Sequence, residues 1–259
     1  MTIHGPIDLS VVVPAYNEEE RLPQTLRRFQ EYFTEKSRSY EIIVVVDGHT
    51  NRTRDVLPNL QKEIAGLKVV GEPLNYGKGF SVRKGMLAAR GRLRLFADAD
   101  NSSDIAHFDQ MELLFNQGLD VVIASRHPRD VAGAMQTVAQ SWSKRMLGQA
   151  GNLFVQAVAV PGIWDTQCGF KAFRGEAADR IFSQSRIDGW GFDIEVLALA
   201  RALKLKVGII PVSWVNDERS HLRWPDYFRV LGETVAVRYN FLRRRYSVQN
   251  EDPVATLKR

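Results

Sequence analysis

The stretch "LFADADNSSD" (95–104) runs from apolar residues straight into two carboxylates on alternate positions, Asp98 and Asp100. Like charges this close repel and are costly to desolvate unless a cation or hydrogen-bond donors hold them. Two carboxylates one residue apart offer the hard oxygen ligands that Mg2+ or Mn2+ takes, and such a cation would in turn bridge a diphosphate. Helix capping competes with that reading, because "DNSSD" is rich in N-cap residue types. "EIIVVVD" (41–47) also ends in a carboxylate, Asp47, followed by Gly48. It can accept from a base N–H or a ribose hydroxyl, or cap the helix that begins near Thr50. "NYGKG" (75–79) sets glycines on either side of Lys78 at a helix start. Close backbone approach, a lysine and a helix N-terminus together favour an anion. The P-loop spacing is absent, and no G-x-G-x-x-G follows the first strand, which argues against a dehydrogenase.

The elements that must position these groups alternate. Strands are expected at 9–15, 41–47, 67–72, 92–98 and 119–125, with helices near 18–35, 52–65, 78–90 and 105–117. β-Branched runs separated by helices predict an α/β fold, a mainly parallel sheet with helices on both faces, whose ligands bind beyond the carboxyl ends of the strands. Each predicted strand end carries polar or charged groups, from Pro14, Tyr16 and Glu18 through Asp47, Lys78 and the Asp98–Asp100 pair to Arg126. Residues 128–163 give no clear strand before "CGFKAF" (168–173). Helices follow at 175–184 and 191–204, then a strand at 206–212 and an amphipathic basic helix from about 225 to 243. With no linker, low-complexity tract or repeat, the 259 residues read as one domain. Its nucleotide-binding half spans 9–127, its acceptor half 128–225, and 226–259 form a basic helix and tail.

Composition narrows the class. The chain is 44% hydrophobic and 25% charged, ordinary for a globular protein. Its single cysteine, Cys168, rules out an internal disulfide framework and suits a reducing compartment. The first ten residues lack a signal-peptide core, and no apolar run reaches the roughly 18–20 residues that span a bilayer. A cytoplasmic protein without a transmembrane helix is expected. The net charge of +5 favours anionic partners, and "RYNFLRRRY" near the C-terminus concentrates it. That run is either a solvated helix end or a contact with anionic lipid on the cytoplasmic face of the membrane. No nucleic-acid module accompanies the charge, so nucleic acid is not an expected partner.

"VVVPAYNEEERLPQTL", "VVDGHTNRT", "NYGKGFSVRKGM" and "FADAD", in that order, resemble a family 2 glycosyltransferase of the GT-A fold. "WDTQCGFKAF" (164–173) and "WGFDIEVLALA" (190–200) are similar to the dolichyl-phosphate glucosyltransferases and related polyprenyl-phosphate glycosyltransferases. The resemblance covers roughly residues 9–225. It implies an inverting transfer of a sugar from a nucleotide diphosphate to a nucleophilic oxygen. On that pattern Pro14, Tyr16, Glu18 and Asp47 hold the nucleoside, with Lys78 nearby, while Asp98 and Asp100 hold Mg2+ or Mn2+ on the diphosphate. The chain departs from the pattern at "VVDGH": members often carry two consecutive acids and a serine there, whereas here His49 takes the serine position. The transmembrane helices of many polyprenyl-phosphate members have no counterpart in the sequence.

The acceptor chemistry follows from what the acceptor is. A lipid phosphate is already anionic and needs cations. Arg126 and Arg145 match basic positions of polyprenyl-phosphate members, and Arg219 in "DERSHL" is a third candidate; arginine binds phosphate oxygens bidentately. A sugar hydroxyl needs a general base instead, for which Asp165 and Asp193 stand first and Glu195 third. Asp193 and Glu195 would diverge at helical spacing, so one of them faces the site. Gln167 and Trp190 suit a sugar, an amide for hydroxyls and a ring face for the pyranose. Cys168 has no base partner and reads as inert. Glucose from UDP-glucose is the transfer that the resemblance implies. A GDP-mannose donor, a soluble or cell-wall glycan acceptor, and a non-catalytic nucleotide-sugar-binding subunit stay open, as does the oligomeric state.

Overall fold

Val and Ile dominate the inner strands, and side chains branched at Cβ favour extended backbone. The structure, a computed structural model, describes residues 6–48, 52–136, 142–214 and 224–248. Strands β1 (Leu9–Ala15), β2 (Tyr40–Val46), β3 (Leu67–Gly71) and β4 (Leu93–Ala97) alternate with helices α1 (Leu22–Glu35), α2 (Thr53–Glu63) and α3 (Lys78–Ala88). A 3-10 turn (Ile105–His107) leads into α4 (Phe108–Asn116) and β5 (Val121–Ser125). The chain continues through β6 (Met135–Gln136), α5 (Trp142–Val158), β7 (Phe170–Arg174), α6 (Gly175–Phe182) and α7 (Phe192–Ala202). It closes with β8 (Val207–Pro211), β9 (Ser213–Trp214) and α8 (Trp224–Leu242).

The main sheet has the order β3-β2-β1-β4-β7-β5-β8. β1 runs parallel to β2 and β4, β2 to β3, and β5 to β8, while β7 runs antiparallel between β4 and β5. The mainly parallel sheet expected from the strand–helix alternation is thus present, with one inverted strand. Strand alternation divides the core into two layers. Val11, Val13, Ile42 and Val44 pack with Phe29, Phe33, Phe108 and Phe115 of α1 and α4. Val12, Ile43, Val45 and Phe96 pack on the other face with Val82, Ile181, Ile194 and Val237 of α3, α6, α7 and α8. Among the described residues, no helix is long and apolar enough to cross a membrane.

The structure corrects several expectations. The segment without an expected strand holds α5, whose Gly148 and Gly151 interrupt the helical pattern. A short ladder, β6 with β9, joins that segment to the chain after β8. The helix expected over 105–117 begins as a 3-10 turn, and its cap is Asp104, whose Oδ1 accepts from the Ala106 N–H at 2.9 Å. Neither Asp98 nor Asp100 caps it, which removes the capping explanation for that pair.

Candidate active site

β1, β2, β4 and β5 end on one edge of the sheet, and the inverted β7 starts there. Its inversion carries Gly169 against the end of β4, where the Asp98 N–H donates to the Gly169 carbonyl at 3.1 Å. A Cβ at position 169 would overlap Asp98 Oδ2, so glycine permits the approach. Lys78, the first residue of α3, pairs with Asp98 Oδ1 at 2.7 Å. Its ammonium also lies 5.4 Å from the Phe96 ring centre and 5.1 Å from that of Trp190. Burial disfavours the Lys78 charge, but Asp98, Asp193 and Asp100 outweigh it and raise the pKa. Asp100 Oδ1 accepts from the Ser102 N–H at 3.0 Å.

Among the described residues, no three His, Cys, Asp or Glu side chains cluster as a complete metal site. Asp98 and Asp100 nevertheless fit a hard divalent cation. Each engages the protein through Oδ1 and has a second oxygen, and the remaining ligands of such a cation come from substrate phosphates and water. Lys78 on Asp98 supplies positive charge at the same point.

Asp47 is buried, and it receives the "NYGKG" loop: its two oxygens accept from the Tyr76 and Gly77 N–H groups, both at 2.8 Å. Asp47 thereby shapes the loop that delivers Lys78, while the cap expected near Thr50 lies outside the described residues. Gly77 has φ 110°, a region closed to most side chains, and a Cβ there would overlap the Asp188 carbonyl. The loop glycines therefore let the backbone pack closely against residues 187–192. Tyr16 is exposed beside Gly48 and Asn75 at this edge, and Pro14, the penultimate residue of β1, is partly buried. Glu18 pairs with Arg21 at 2.6 Å, and its N–H donates to Thr53 Oγ1 at 2.9 Å. His49 lies outside the described residues.

In the acceptor half, Arg126 grips Asp165 through two guanidinium bonds of 2.7 Å each, and its backbone N–H donates to the same carboxylate at 2.8 Å. Burial pushes the Asp165 carboxyl up, but Arg126 outweighs burial and holds it below the usual carboxylate range. Asp130 builds this corner from beneath. It accepts from the backbone N–H groups of Trp164 and Asp165 at 2.7 and 2.8 Å and from Ser125 Oγ at 2.7 Å. His127 stacks on Trp164 with ring centres 5.2 Å apart, and the Arg129 guanidinium lies 4.3 Å from the Trp164 ring centre.

Asp193, in the first turn of α7, pairs with Lys171 of β7, and both are buried. Burial raises the Asp193 pKa more than Lys171 and Lys78 lower it. Glu195 turns away. It accepts from the Ile187 N–H at 3.0 Å, from the Arg186 N–H at 2.9 Å and from the Tyr246 hydroxyl at 2.6 Å. These bonds correct its standing as a third candidate base: Glu195 anchors the 186–187 backbone. Trp190 is half-buried beside Lys78, and Gln167 is exposed on the segment leading into β7. Cys168 is buried, which pushes its thiol up to about 12, so it is unreactive near neutral pH. Arg145 lies on α5 with its side chain outside the described set, and Arg219 lies outside the described residues.

The structure thus brings Lys78, Asp98, Trp190, Lys171 and Asp193 into one charged cluster, with Arg126–Asp165 alongside. Sequence reasoning missed Lys171, Asp130 and Gly169. For Lys171 a signal existed, a lysine inside the apolar alternation "CGFKAF"; nothing local marks Asp130.

Comparison with known proteins identifies the family of this strand-end cluster. The family model described as glycosyl transferase family 2 matches residues 10–182. A dolichyl-phosphate beta-glucosyltransferase of Dictyostelium discoideum is 33% identical over 253 residues, covering 92% of this chain and 77% of the relative. One of Drosophila melanogaster is 38% identical over 230 residues, covering 83% of this chain and 69% of the relative. In fold, the chain is similar to glucosyl-3-phosphoglycerate synthase from Mycobacterium tuberculosis, solved in complex with Mn2+, uridine diphosphate and phosphoglyceric acid. The TM-score is 0.62 at 17% identity, covering 94% of this chain and 80% of that one. With the strand-end site in place and the family model spanning most of the chain, the protein belongs to glycosyl transferase family 2, a glycosyltransferase of the GT-A fold.

Proposed function

We propose that the enzyme transfers glucose, with inversion, from UDP-glucose to a polyprenyl phosphate of the dolichyl type. One observation carries the choice of acceptor: both candidate bases are committed to cations inside the protein, Asp165 to Arg126 and Asp193 to Lys171. A sugar hydroxyl would need one of them to take a proton. A phosphate monoester is already ionised, and its oxygen attacks the anomeric carbon as the bond to the UDP oxygen breaks, with no base required. The names of the relatives, dolichyl-phosphate beta-glucosyltransferases, support the same acceptor and sugar.

The residues divide the work accordingly. Pro14, Tyr16, Glu18 and the loop shaped by Asp47 line the nucleoside end. Asp98 and Asp100 would hold Mg2+ or Mn2+, which when bound supplies positive charge to the leaving diphosphate. The solved fold neighbour with Mn2+ and uridine diphosphate supports that assignment. Lys78 adds a fixed cation where the leaving charge develops, so it favours the transition state over the ground state. Trp190 offers a ring face and Gln167 an amide to the sugar. Asp165 and Asp193 act as positioning groups that hold Arg126 and Lys171, with Arg126, Arg145 and Arg219 drawing the acceptor phosphate.

The test supplies purified enzyme with Mn2+, a detergent-dispersed polyprenyl phosphate and either UDP-glucose or GDP-mannose, and identifies the lipid product by mass spectrometry. A hexosyl phosphate lipid from UDP-glucose, absent with chelator or in Asp98→Asn, is expected. Product from GDP-mannose alone would overturn the donor assignment. Consumption of UDP-glucose onto a glycan, with none onto the lipid phosphate, would overturn the acceptor.

A further inference from the structure

The turn after β5 presents a cation, Arg129, beside the Arg126–Asp165 pair. Ser125 Oγ accepts from the His127 N–H at 3.0 Å and donates to Asp130 Oδ2 at 2.7 Å. The Asp130 N–H donates to the His127 carbonyl at 3.0 Å, which closes residues 125–130 into a fixed turn. Asp130 also accepts from the Trp164 and Asp165 N–H groups, so the turn and the segment that enters β7 are held as one piece. On that piece the Trp164 ring meets two residues of the turn. His127 stacks on it with an interplanar angle of 16°, and the Arg129 guanidinium lies 4.3 Å from its centre.

Arg126 and Arg129 differ in what they can still donate. Arg126 spends Nε and Nη2 on Asp165. Arg129 is exposed, and among the described residues no carboxylate or carbonyl takes its guanidinium, whose contact is the Trp164 ring. A guanidinium stacked on an indole keeps its N–H donors in its own plane, where the fork matches two oxygens of a phosphate. Stacking also orders the side chain in advance, which lowers the entropy lost on binding. His127 adds a second donor. Its Nδ1 accepts from the Arg129 backbone N–H at 3.2 Å, so the neutral ring carries its proton on Nε2. The acid of the turn, Asp130, is taken up by the Trp164 and Asp165 N–H groups and Ser125 Oγ. A planar cation with an imidazole N–H beside it suits an oxyanion. β7 lies between β4 and β5 in the sheet, which separates this turn from the Asp98–Asp100 end that would hold the donor diphosphate. Arg126 is nevertheless close enough to Asp98 for their charges to interact, so an anion on Arg129 would approach the donor from the side of β5.

We propose that Arg129, stacked on Trp164 and flanked by His127, binds the phosphate of the acceptor, a prenyl phosphate monoester. The inference rests on the lipid-phosphate reading and gives that phosphate its hydrogen-bond donors. Arg126 contributes charge from its place on Asp165, and Arg129 contributes the N–H fork.

The experiment is calorimetric titration of the full chain with farnesyl phosphate, farnesol and inorganic phosphate, joined to transfer kinetics with a detergent-dispersed polyprenyl phosphate. Arg129→Gln should weaken farnesyl phosphate binding at least about tenfold, the loss expected for hydrogen bonds to a charged group. The acceptor KM should rise to match, with the UDP-glucose KM and the melting temperature unchanged. Arg129→Lys keeps the charge without the planar fork and should recover only part of the loss. Farnesol should bind wild type and Arg129→Gln alike. Undiminished farnesyl phosphate binding in Arg129→Gln overturns the proposal. A rise in the UDP-glucose KM in place of the acceptor KM overturns it too, because Arg129 would then serve the donor. Inorganic phosphate bound as tightly as farnesyl phosphate would make this a general anion site and overturn its assignment to the acceptor. Transfer judges the underlying reading separately. A wild type that binds farnesyl phosphate through Arg129 yet makes no lipid product would sink the acceptor assignment while leaving the prenyl phosphate site in place.

Discussion

Lys171, in the middle of the inverted strand β7, is ion-paired with Asp193 in the first turn of α7, and both lie out of contact with bulk water. Lys171 also donates to the Cys168 carbonyl at 2.7 Å, so one buried cation ties β7, its entry loop and α7 together. Removing one partner leaves an uncompensated buried charge, which costs about 3–5 kcal/mol. Lys171→Met should lose stability on that scale in urea unfolding. Lys171→Met/Asp193→Leu should lose less than the two single substitutions summed, because the pair couples directly. Additive losses would mean that the pair contributes little as a pair.

Gly169 sets the position of Asp98. A Cβ there would overlap Asp98 Oδ2, so Gly169→Ala must swing the carboxylate away from its place beside Lys78. Displacing a reacting group by about 1 Å costs on the order of 100-fold in rate. The expected signature is a fall in kcat of about 100-fold with a much smaller change in the urea midpoint. A wild-type kcat in Gly169→Ala would show that the aspartate's placement there does not limit transfer.

Glu233 reaches from α8 to the segment that carries Trp190, accepting from the Gly191 N–H. Losing that acceptor strands a backbone donor at a cost of about 1–3 kcal/mol, a factor of roughly 5–150 if it falls on donor binding. Glu233→Ala should raise the donor KM by about tenfold within that range while changing kcat little. Glu233→Gln keeps an acceptor oxygen and should recover most of the loss. An unchanged KM in the alanine variant would separate Trp190 placement from α8.

The Arg126–Asp165 pair should show its sign in acid. Burial opposes the Asp165 charge, but Arg126 prevails and the folded pKa falls below its unfolded value. The unfolded chain therefore takes up this proton first as pH drops. Stability from the pair is complete above about pH 4, the ordinary carboxylate value, and is lost as pH falls through the lowered folded value. Asp165→Asn should be less stable than wild type at pH 7, with the deficit shrinking below about pH 4. A deficit that stays constant from pH 7 to 3 would show that the charge of Asp165 adds nothing. Urea midpoints across that range decide it.

How much of this was legible in the residues varies with the range of the interaction. β1, β2 and β5 were readable because branched side chains bias their own backbone, and the sheet's carboxyl edge followed from the alternation of strand and helix. Asp47, Lys78, Asp98 and Asp100 were readable because each sits beside the strand or helix end that exposes it. The divergence of Asp193 and Glu195 followed from helical spacing alone, and the structure sends one to Lys171 and the other to Tyr246.

The rest depends on partners distant in the chain. Nothing near "CGFKAF" states that this strand inserts backwards between β4 and β5, yet that insertion brings Gly169 to Asp98, and Lys171 to Asp193. Asp130 holds Trp164 and Asp165 across 34 and 35 residues, and Gly77 is a glycine because of Asp188. The amphipathic basic helix over 225–243 was legible as such, but its orientation was not. A helix that is apolar on two sides has a weak periodic signal, and which side faces solvent is settled when α5 and α7 cover the other. Local residue types state which groups are on offer; folding decides which of them meet, because a contact's energy depends on the burial and the partner that the whole chain supplies.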